Sequence, residues 1–259
     1  MKIFLSILFF LCAHSVIFAQ DAMTTSTPAP TSVRDSVSQF NSWYTIQGNT
    51  KIAKDYSLFH DIQIRRNGFL EDEQQNVFRF GLQRTLSKKH SIMIGYAYVD
   101  TAQYGKQPVV HAFNEHRSFL QFLTKQKLGN SQVLFHRYRL EQRSLQDQKD
   151  LNGDRIYQNR IRYMLRFNVP LISSGPLPIS LNLYDEVFIN FGEAVKFNLL
   201  DQNRLGFNFN FKVSKNFSLE FGYMLQTLIK AKLSDQNLQP MEQNHTMTVA
   251  LITDLSLID

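Results

Sequence analysis

Charged side chains occupy every second position of one stretch in the middle of the chain. Between Val133 and Arg143 they alternate with apolar or aromatic residues, and they are Arg137, Arg139, Glu141 and Arg143. Successive side chains of a β-strand point to opposite faces, so a strand here carries all four on one face. Guanidinium groups stay charged and can bind carboxylates in bidentate fashion. Such a face is suited to an Arg–Glu network or to the binding of small anions.

The same alternation places further charged residues on one face of other segments. If the polar face of each segment points inward, the candidate binding residues are Arg117, Arg137, Arg139, Glu141, Arg143, Arg160, Arg162, Glu186 and Arg204. The same rule adds Arg65, Arg79, Arg166, Asp61, Glu115 and Glu220. These ten arginines and five acids cannot all pair one to one. Two interpretations stay open: an interior filled by an Arg–Glu network, or an anion-selective channel or binding cavity that uses unpaired arginines.

An enzymatic alternative depends on His116 and Ser118, which share one face of a predicted strand, with Gln142 on the next strand. A serine with a histidine base oriented by an amide is a nucleophilic arrangement. It resembles the His-x-Ser arrangement of outer-membrane phospholipases, except that Phe119 stands where that family has Asn. The alternative function is therefore an outer-membrane lipid hydrolase.

Other chemistry is not indicated by the sequence, and no cofactor or metal is predicted. The histidines lack paired ligand spacing, and the acidic loop from Asp147 to Asp154 is interpreted as ordinary turn chemistry rather than a cation site. The net charge of +6 and pI near 9.3 invite a nucleic-acid function. The basic residues are, however, interleaved singly rather than clustered, and this argues against nucleic acid as a partner.

The elements that position these residues are about eleven alternating segments, each roughly ten to thirteen residues long, the length that crosses a bilayer as a tilted strand. Tight turns near Lys54, Lys88, Asn130 and Lys215 alternate with longer polar connections. The predicted long loops are Asn67 to Gln75, Thr101 to Asn114, Ser144 to Asp154, Gly192 to Asp201 and Leu228 to Gln243. No stretch predicts a helix that could cover the apolar faces. The pattern predicts an all-β, antiparallel transmembrane barrel of about ten to twelve strands, with short periplasmic turns and longer extracellular loops. An even count was expected, with an extra strand near Val33 to Phe40 as the preferred route to twelve.

The N-terminus indicates export. Residues 1–19 have the positive start, apolar core and small residue before Gln20 that are typical of a signal peptide. Residues 20–38, rich in Ser, Thr, Pro and Ala, are predicted to form a flexible leader, and residues 39–259 the barrel. The one cysteine, Cys12, falls within the signal. The expected location is the outer membrane of a Gram-negative-type bacterium, with outer-membrane lipids, the barrel assembly machinery and small anionic solutes as partners.

Several motifs together resemble domain-of-unknown-function family 2490. They are His136 to Arg143, Arg160 to Tyr163, Tyr184 to Phe188, Trp43 and Asp201 to Arg204. The resemblance implies an exported outer-membrane barrel over nearly the whole mature chain, and it implies no activity or catalytic residue. The predicted function is thus a narrow, porin-like pore or an anion-binding or transport barrel, or a structural envelope protein with a plugged lumen.

Overall fold

The computed structural model describes residues 36–106, 108–129, 131–147, 152–195, 198–230 and 240–258. Within these ranges it contains eleven β-strands, which close into a single barrel. The strands are β1 (Ser36–Ala53), β2 (Tyr56–Asn67), β3 (Asp72–Thr85), β4 (His90–Thr101), β5 (Phe113–Leu128), β6 (Gln132–Leu145), β7 (Ile156–Ile172), β8 (Ile179–Phe191), β9 (Leu200–Lys212), β10 (Phe217–Ile229) and β11 (Met241–Ser256). The predicted all-β barrel of ten to twelve strands is confirmed.

The odd strand number is accommodated by the pairing that closes the barrel. Consecutive strands pair antiparallel from β1 to β11, so β1 and β11 run in the same direction. They pair in parallel, from Ser36 opposite Met241 to Lys51 opposite Ser256. The expectation of an even number is wrong. The stretch predicted to hold an extra strand instead contains the start of β1, so the last three residues of the predicted leader lie in this strand.

The connections differ in length at the two ends of the barrel. At one end, called here the short-turn end, lie the connections 54–55, 86–89, 129–131, 173–178 and 213–216. At the other, the long-loop end, lie 68–71, 102–112, 146–155, 192–199 and 230–240. One predicted long loop, Asn67 to Gln75, is in fact a tight turn. There Gly68 takes a φ of 70°, and Ser42 donates a hydrogen bond to the carbonyl oxygen of Phe69 at 2.5 Å.

Apolar and polar side chains are distributed in the opposite way to a soluble barrel with an apolar core. Large apolar residues such as Ile94 and Phe221 are exposed on the outer face, whereas Arg139, Glu141 and Arg160 are buried inside. Among the residues described, there is no helix with the length and apolar character needed to span a membrane.

Candidate functional site

The interior of the barrel holds every residue of the predicted binding set. Strand pairing places Arg139 beside Arg162, and Glu141 beside Arg160, on inward faces. Arg117 pairs with Arg143 on β5 and β6, and Glu186 pairs with Arg204 on β8 and β9. The alternation of polar and apolar residues therefore identified the correct face on each of these strands.

A continuous ladder of ion pairs runs through the interior from the long-loop end. Its order is Asp201, Arg160, Glu141, Arg162, Glu186 and Arg137, and it is called here the Arg–Glu ladder. Arg160 contacts Asp201 at 2.8 Å and Glu141 at 2.5 Å. Arg162 contacts the other oxygen of Glu141 at 2.7 Å and Glu186 at 2.8 Å. Arg137 completes it with a contact to Glu186 at 2.8 Å. Each glutamate thus bridges at least two arginines, which is how few acids serve many cations.

A third bridging carboxylate, outside this ladder, lies closer to the long-loop end. Glu115 accepts hydrogen bonds from Arg117 at 2.5 Å and from Arg143 at 2.5 Å, and it is 2% exposed. Charge-assisted, bidentate hydrogen bonds are what allow such groups to be buried, since an unpaired buried charge is strongly unfavourable.

Aromatic rings support several of these arginines in addition to the carboxylates. Phe188, which is almost fully buried, has the guanidinium carbons of Arg160, Arg162 and Arg204 at 5.2, 4.4 and 4.7 Å from its ring centroid. Arg204 also lies 5.0 Å from the ring of Trp43. Cation–π attraction is strongest when the groups are desolvated, as they are here.

The loop 102–112 adds to the closure at the long-loop end. The amide of Lys106 donates to Gln39 Oε1 at 3.1 Å, and Gln74 accepts from Trp43 Nε1 at 2.8 Å. Tyr104 hydrogen-bonds with the same Gln74, and burial raises the pKa of its phenol to about 12. Asn41, Asn190, Asn244 and Thr246, all in the half of the barrel nearest this end, are fully inaccessible to solvent. Side chains therefore fill this half of the lumen.

The other half contains a cavity of about 530 Å³, called here the inner cavity. It reaches the short-turn end, because Ser87, Lys88 and Lys89 of the 86–89 turn line it. It extends inward as far as Arg139 and Arg162, while Glu141 and Arg160, two residues further along the same strands, do not line it. The lumen is thus open at one end and filled at the other.

The lining of the inner cavity carries a large excess of positive charge. Its arginines are Arg79, Arg137, Arg139, Arg162, Arg166 and Arg204. Its lysines are Lys88, Lys89 and Lys125, and its acids are Asp61, Glu186 and Glu220. Nine cations thus face three carboxylates, so the electrostatic potential of the cavity favours anions.

Two arginines of the inner cavity have no carboxylate partner among the described residues. Arg204 donates to Gln202 Oε1 at 3.0 Å and lies over the rings of Trp43 and Phe188. Arg166 lies over the ring of Phe135 at 4.5 Å, and within the described residues it forms no hydrogen bond or ion pair. A third such arginine, Arg65, donates to Gln63 and Gln75 and stacks on Trp43, outside the cavity lining.

Two acids of the interior were missed by the sequence analysis. Asp201 was assigned to a loop but lies in β9 and pairs with Arg160 at 2.8 Å. Glu242 was assigned to a loop but lies in β11 and contacts Lys230 at 2.7 Å. In both strands, polar side chains continue at every second position beyond the apolar part of the strand. This continuation is the sequence signal that could have identified both acids as inward-facing.

The residues of the hydrolase alternative are not brought together as a catalytic pair. His116 Nδ1 pairs with the hydroxyl of Tyr96, and Ser118 Oγ donates to Gln142 Oε1 at 3.4 Å. All lie on the outer face, as predicted, but no hydrogen bond joins Ser118 to His116 in the described part of the chain. Nothing in this arrangement activates the serine.

The described residues contain no group of three or more His, Cys, Asp or Glu that could hold a metal ion. Of the acidic loop from Asp147 to Asp154, residues 148–151 lie outside the described ranges.

Comparison with known proteins gives one match. The sequence profile of the family described as "Protein of unknown function (DUF2490)" matches residues 40–237, which is most of the chain and includes all nine residues of the predicted binding set. No curated protein and no solved structure matches. The chain therefore belongs to the DUF2490 family of proteins of unknown function.

Proposed function

We propose that the protein is an integral outer-membrane barrel that binds small anionic solutes in a lumen open only at the short-turn end. The observation that carries this proposal is the inner cavity, with nine cationic and three acidic side chains, beneath a half of the lumen filled by the Arg–Glu ladder.

The membrane part of the proposal is supported by the outer face. Ile94 is 65% exposed, Phe221 52% and Leu205 48%, although all three belong to the body of the barrel. Such a surface is unfavourable in water and matches the hydrocarbon core of a bilayer. Lipid is the partner that this face fits, and the barrel assembly machinery is the route by which such a chain inserts.

The number of strands, as well as the pairing of buried charges, supports a lumen that is closed at one end. Barrels of about eight strands are filled by side chains, whereas those of 16 to 18 strands leave an aqueous channel. Eleven strands fall between these cases, and this chain fills one half while leaving the other open. A solute that enters from the short-turn end therefore meets the Arg–Glu ladder. In the orientation usual for outer-membrane barrels, this end faces the periplasm.

Collisional quenching of the single tryptophan tests the proposal, because Trp43 lines the inner cavity. The folded protein in lipid vesicles is titrated with iodide, an anionic quencher, and in parallel with caesium, a cationic one. We expect iodide to quench Trp43 several-fold more efficiently than caesium. Equal quenching by the two ions, or stronger quenching by caesium, would contradict an anion-binding cavity.

Conductance of the same protein in a planar bilayer tests the closed end. The expected result is a barrel without steady channels, because the Arg–Glu ladder and the loop 102–112 fill the passage. A steady ohmic conductance would show that the lumen is open throughout, and the protein would then be a pore.

A further inference from the structure

The lining of the inner cavity combines charged and apolar side chains. The strands are arranged around the barrel in chain order, so β7 lies about half a turn away from β2. The wall formed by β6 and β7 carries Arg137 and Arg166, whereas β2 and β4 contribute Phe59 and Met93 to the cavity.

We infer that the anion bound by the inner cavity is a carboxylate that carries an apolar, ring-sized body. This inference rests on the proposed function and specifies its ligand class. The carboxylate would bind at Arg166 on β7, and the body would occupy the space towards Phe59 and Met93.

The charged end of the ligand is assigned from Arg166. Its guanidinium is the member of the lumenal arginines that has neither a hydrogen bond nor an ion pair within the described residues, and it is held in place by the ring of Phe135 at 4.5 Å. The ammonium of Lys125 lies 5.8 Å from the centroid of the same ring, on the β5 side of Phe135, whereas Arg166 belongs to β7 on its other side. A guanidinium that an aromatic ring supports and that has no bound acceptor is preorganised to bind a carboxylate in bidentate fashion.

The apolar end is assigned from Phe59 on β2 and Met93 on β4. Phe59 and Met93 are 7% and 3% exposed and pack with Phe119 as an apolar cluster. Met164 and Met224 line the same cavity, and methionine adapts to the shape of an apolar guest. An apolar body can pack against these side chains, whereas a small inorganic anion gains no such contacts.

The size of the cavity agrees with this class of ligand. Its volume of about 530 Å³ lies within the range of roughly 300 to 1,000 Å³ found for small-molecule sites. A benzoate-sized ligand fits this space together with a few water molecules.

Four related probes separate the two parts of the inference. They are benzoate, acetate, which lacks the body, benzyl alcohol, which lacks the charge, and benzylammonium, which reverses it. Binding to the folded protein in lipid nanodiscs is followed by the emission of Trp43. We expect benzoate to bind at least tenfold more tightly than each of the other three.

The pattern of failure identifies which statement is wrong. Equal binding of acetate and benzoate would overturn the apolar body and leave the anion-binding function intact. Equal binding of benzyl alcohol and benzoate would overturn the role of the carboxylate. If neither anion binds and iodide also fails to quench Trp43, the proposed function itself is wrong.

An Arg166→Gln variant tests the assigned position, with Lys54→Gln as its matched control. Both remove one positive charge near the short-turn end, but Lys54 lies in the β1–β2 turn and does not line the cavity. Arg166→Gln leaves no buried carboxylate unpaired, so the barrel is expected to fold. The affinity for benzoate should fall about tenfold in Arg166→Gln and stay unchanged in Lys54→Gln. An unchanged affinity in Arg166→Gln would place the carboxylate elsewhere.

Discussion

Replacing Glu141 by glutamine is the perturbation to which the Arg–Glu ladder should respond most strongly. Glu141 is 1% exposed, and its two oxygens contact Arg160 at 2.5 Å and Arg162 at 2.7 Å, with Arg139 at 3.8 Å. Glutamine keeps one acceptor oxygen but removes the negative charge between three buried guanidinium groups. The remaining cations would then be held together without the carboxylate that neutralises them.

The expected cost is large. Removing one partner from a buried ion pair typically costs about 3–5 kcal/mol, because the other partner stays buried and unpaired. The retained amide oxygen offsets part of this loss, and the number of arginines that depend on Glu141 increases it. We therefore expect Glu141→Gln to lower the free energy of unfolding by about 3–5 kcal/mol.

Urea titration of the barrel in lipid vesicles, followed by Trp43 emission, measures this change. With a denaturant slope of about 2–3 kcal/mol per M, the urea midpoint should fall by about 1–2.5 M. Glu220→Gln is the control, since Glu220 also faces the lumen but accepts its hydrogen bond from Asn210, at 3.0 Å, rather than from an arginine. Its cost should stay within about 1 kcal/mol. Equal midpoints for the two variants would refute the claim that the ladder stabilises the closed half.

Two further perturbations follow from the closure of the barrel. In Gly48→Ala, the added Cβ would overlap the side chain and carbonyl of Thr253, the partner of Gly48 on β11. The free energy of unfolding should therefore fall by about 1–3 kcal/mol. An unchanged urea midpoint would mean that the β1–β11 pairing is looser than described. The pKa of Tyr104 is raised by burial to about 12 in the folded protein, above the usual value near 10. The stability that the protonated phenol of Tyr104 contributes is therefore complete below pH 10 and is lost as the pH rises towards 12. Tyr104→Phe should reduce the loss of folding stability between these two pH values by at most about 2 kcal/mol. Identical stability-versus-pH profiles for the variant and the unmodified protein would contradict this.

The sequence predicted the face of each charged residue because a period of two is set by the strand itself. Arg139, Glu141 and Arg162 were assigned to the interior from alternation alone, and the structure places them there. The prediction was weaker at strand ends. Asp201 and Glu242 lie at strand ends, where the outward-facing residues are no longer apolar. Because both faces are polar there, the sequence predicts a loop at these two residues.

The strand count and the state of the lumen depend on contacts that are distant in the sequence. The parallel pairing of Ser36 with Met241 joins opposite ends of the barrel domain, and no local pattern encodes it. Likewise, the predicted numbers of inward-facing residues, five acids and ten arginines, do not indicate which carboxylates bridge two cations. The stagger of neighbouring strands decides that Glu186 serves both Arg137 and Arg162, while Arg166 forms no ion pair with a described acid.

Cysteine accessibility at two neighbouring positions of β11 tests the one-ended lumen most directly. Thr248 lines the inner cavity, whereas Thr246, two residues further along the same face, is 0% exposed within the closed half. Single cysteines are introduced at each position in a Cys12→Ser background and treated with a sulfonate-bearing thiol reagent and with a trimethylammonium-bearing one. We expect Thr248→Cys to react, faster with the anionic reagent, and Thr246→Cys to stay protected. Labelling of both positions at similar rates, or faster labelling by the cationic reagent, would contradict a lumen that is closed at one end and selective for anions.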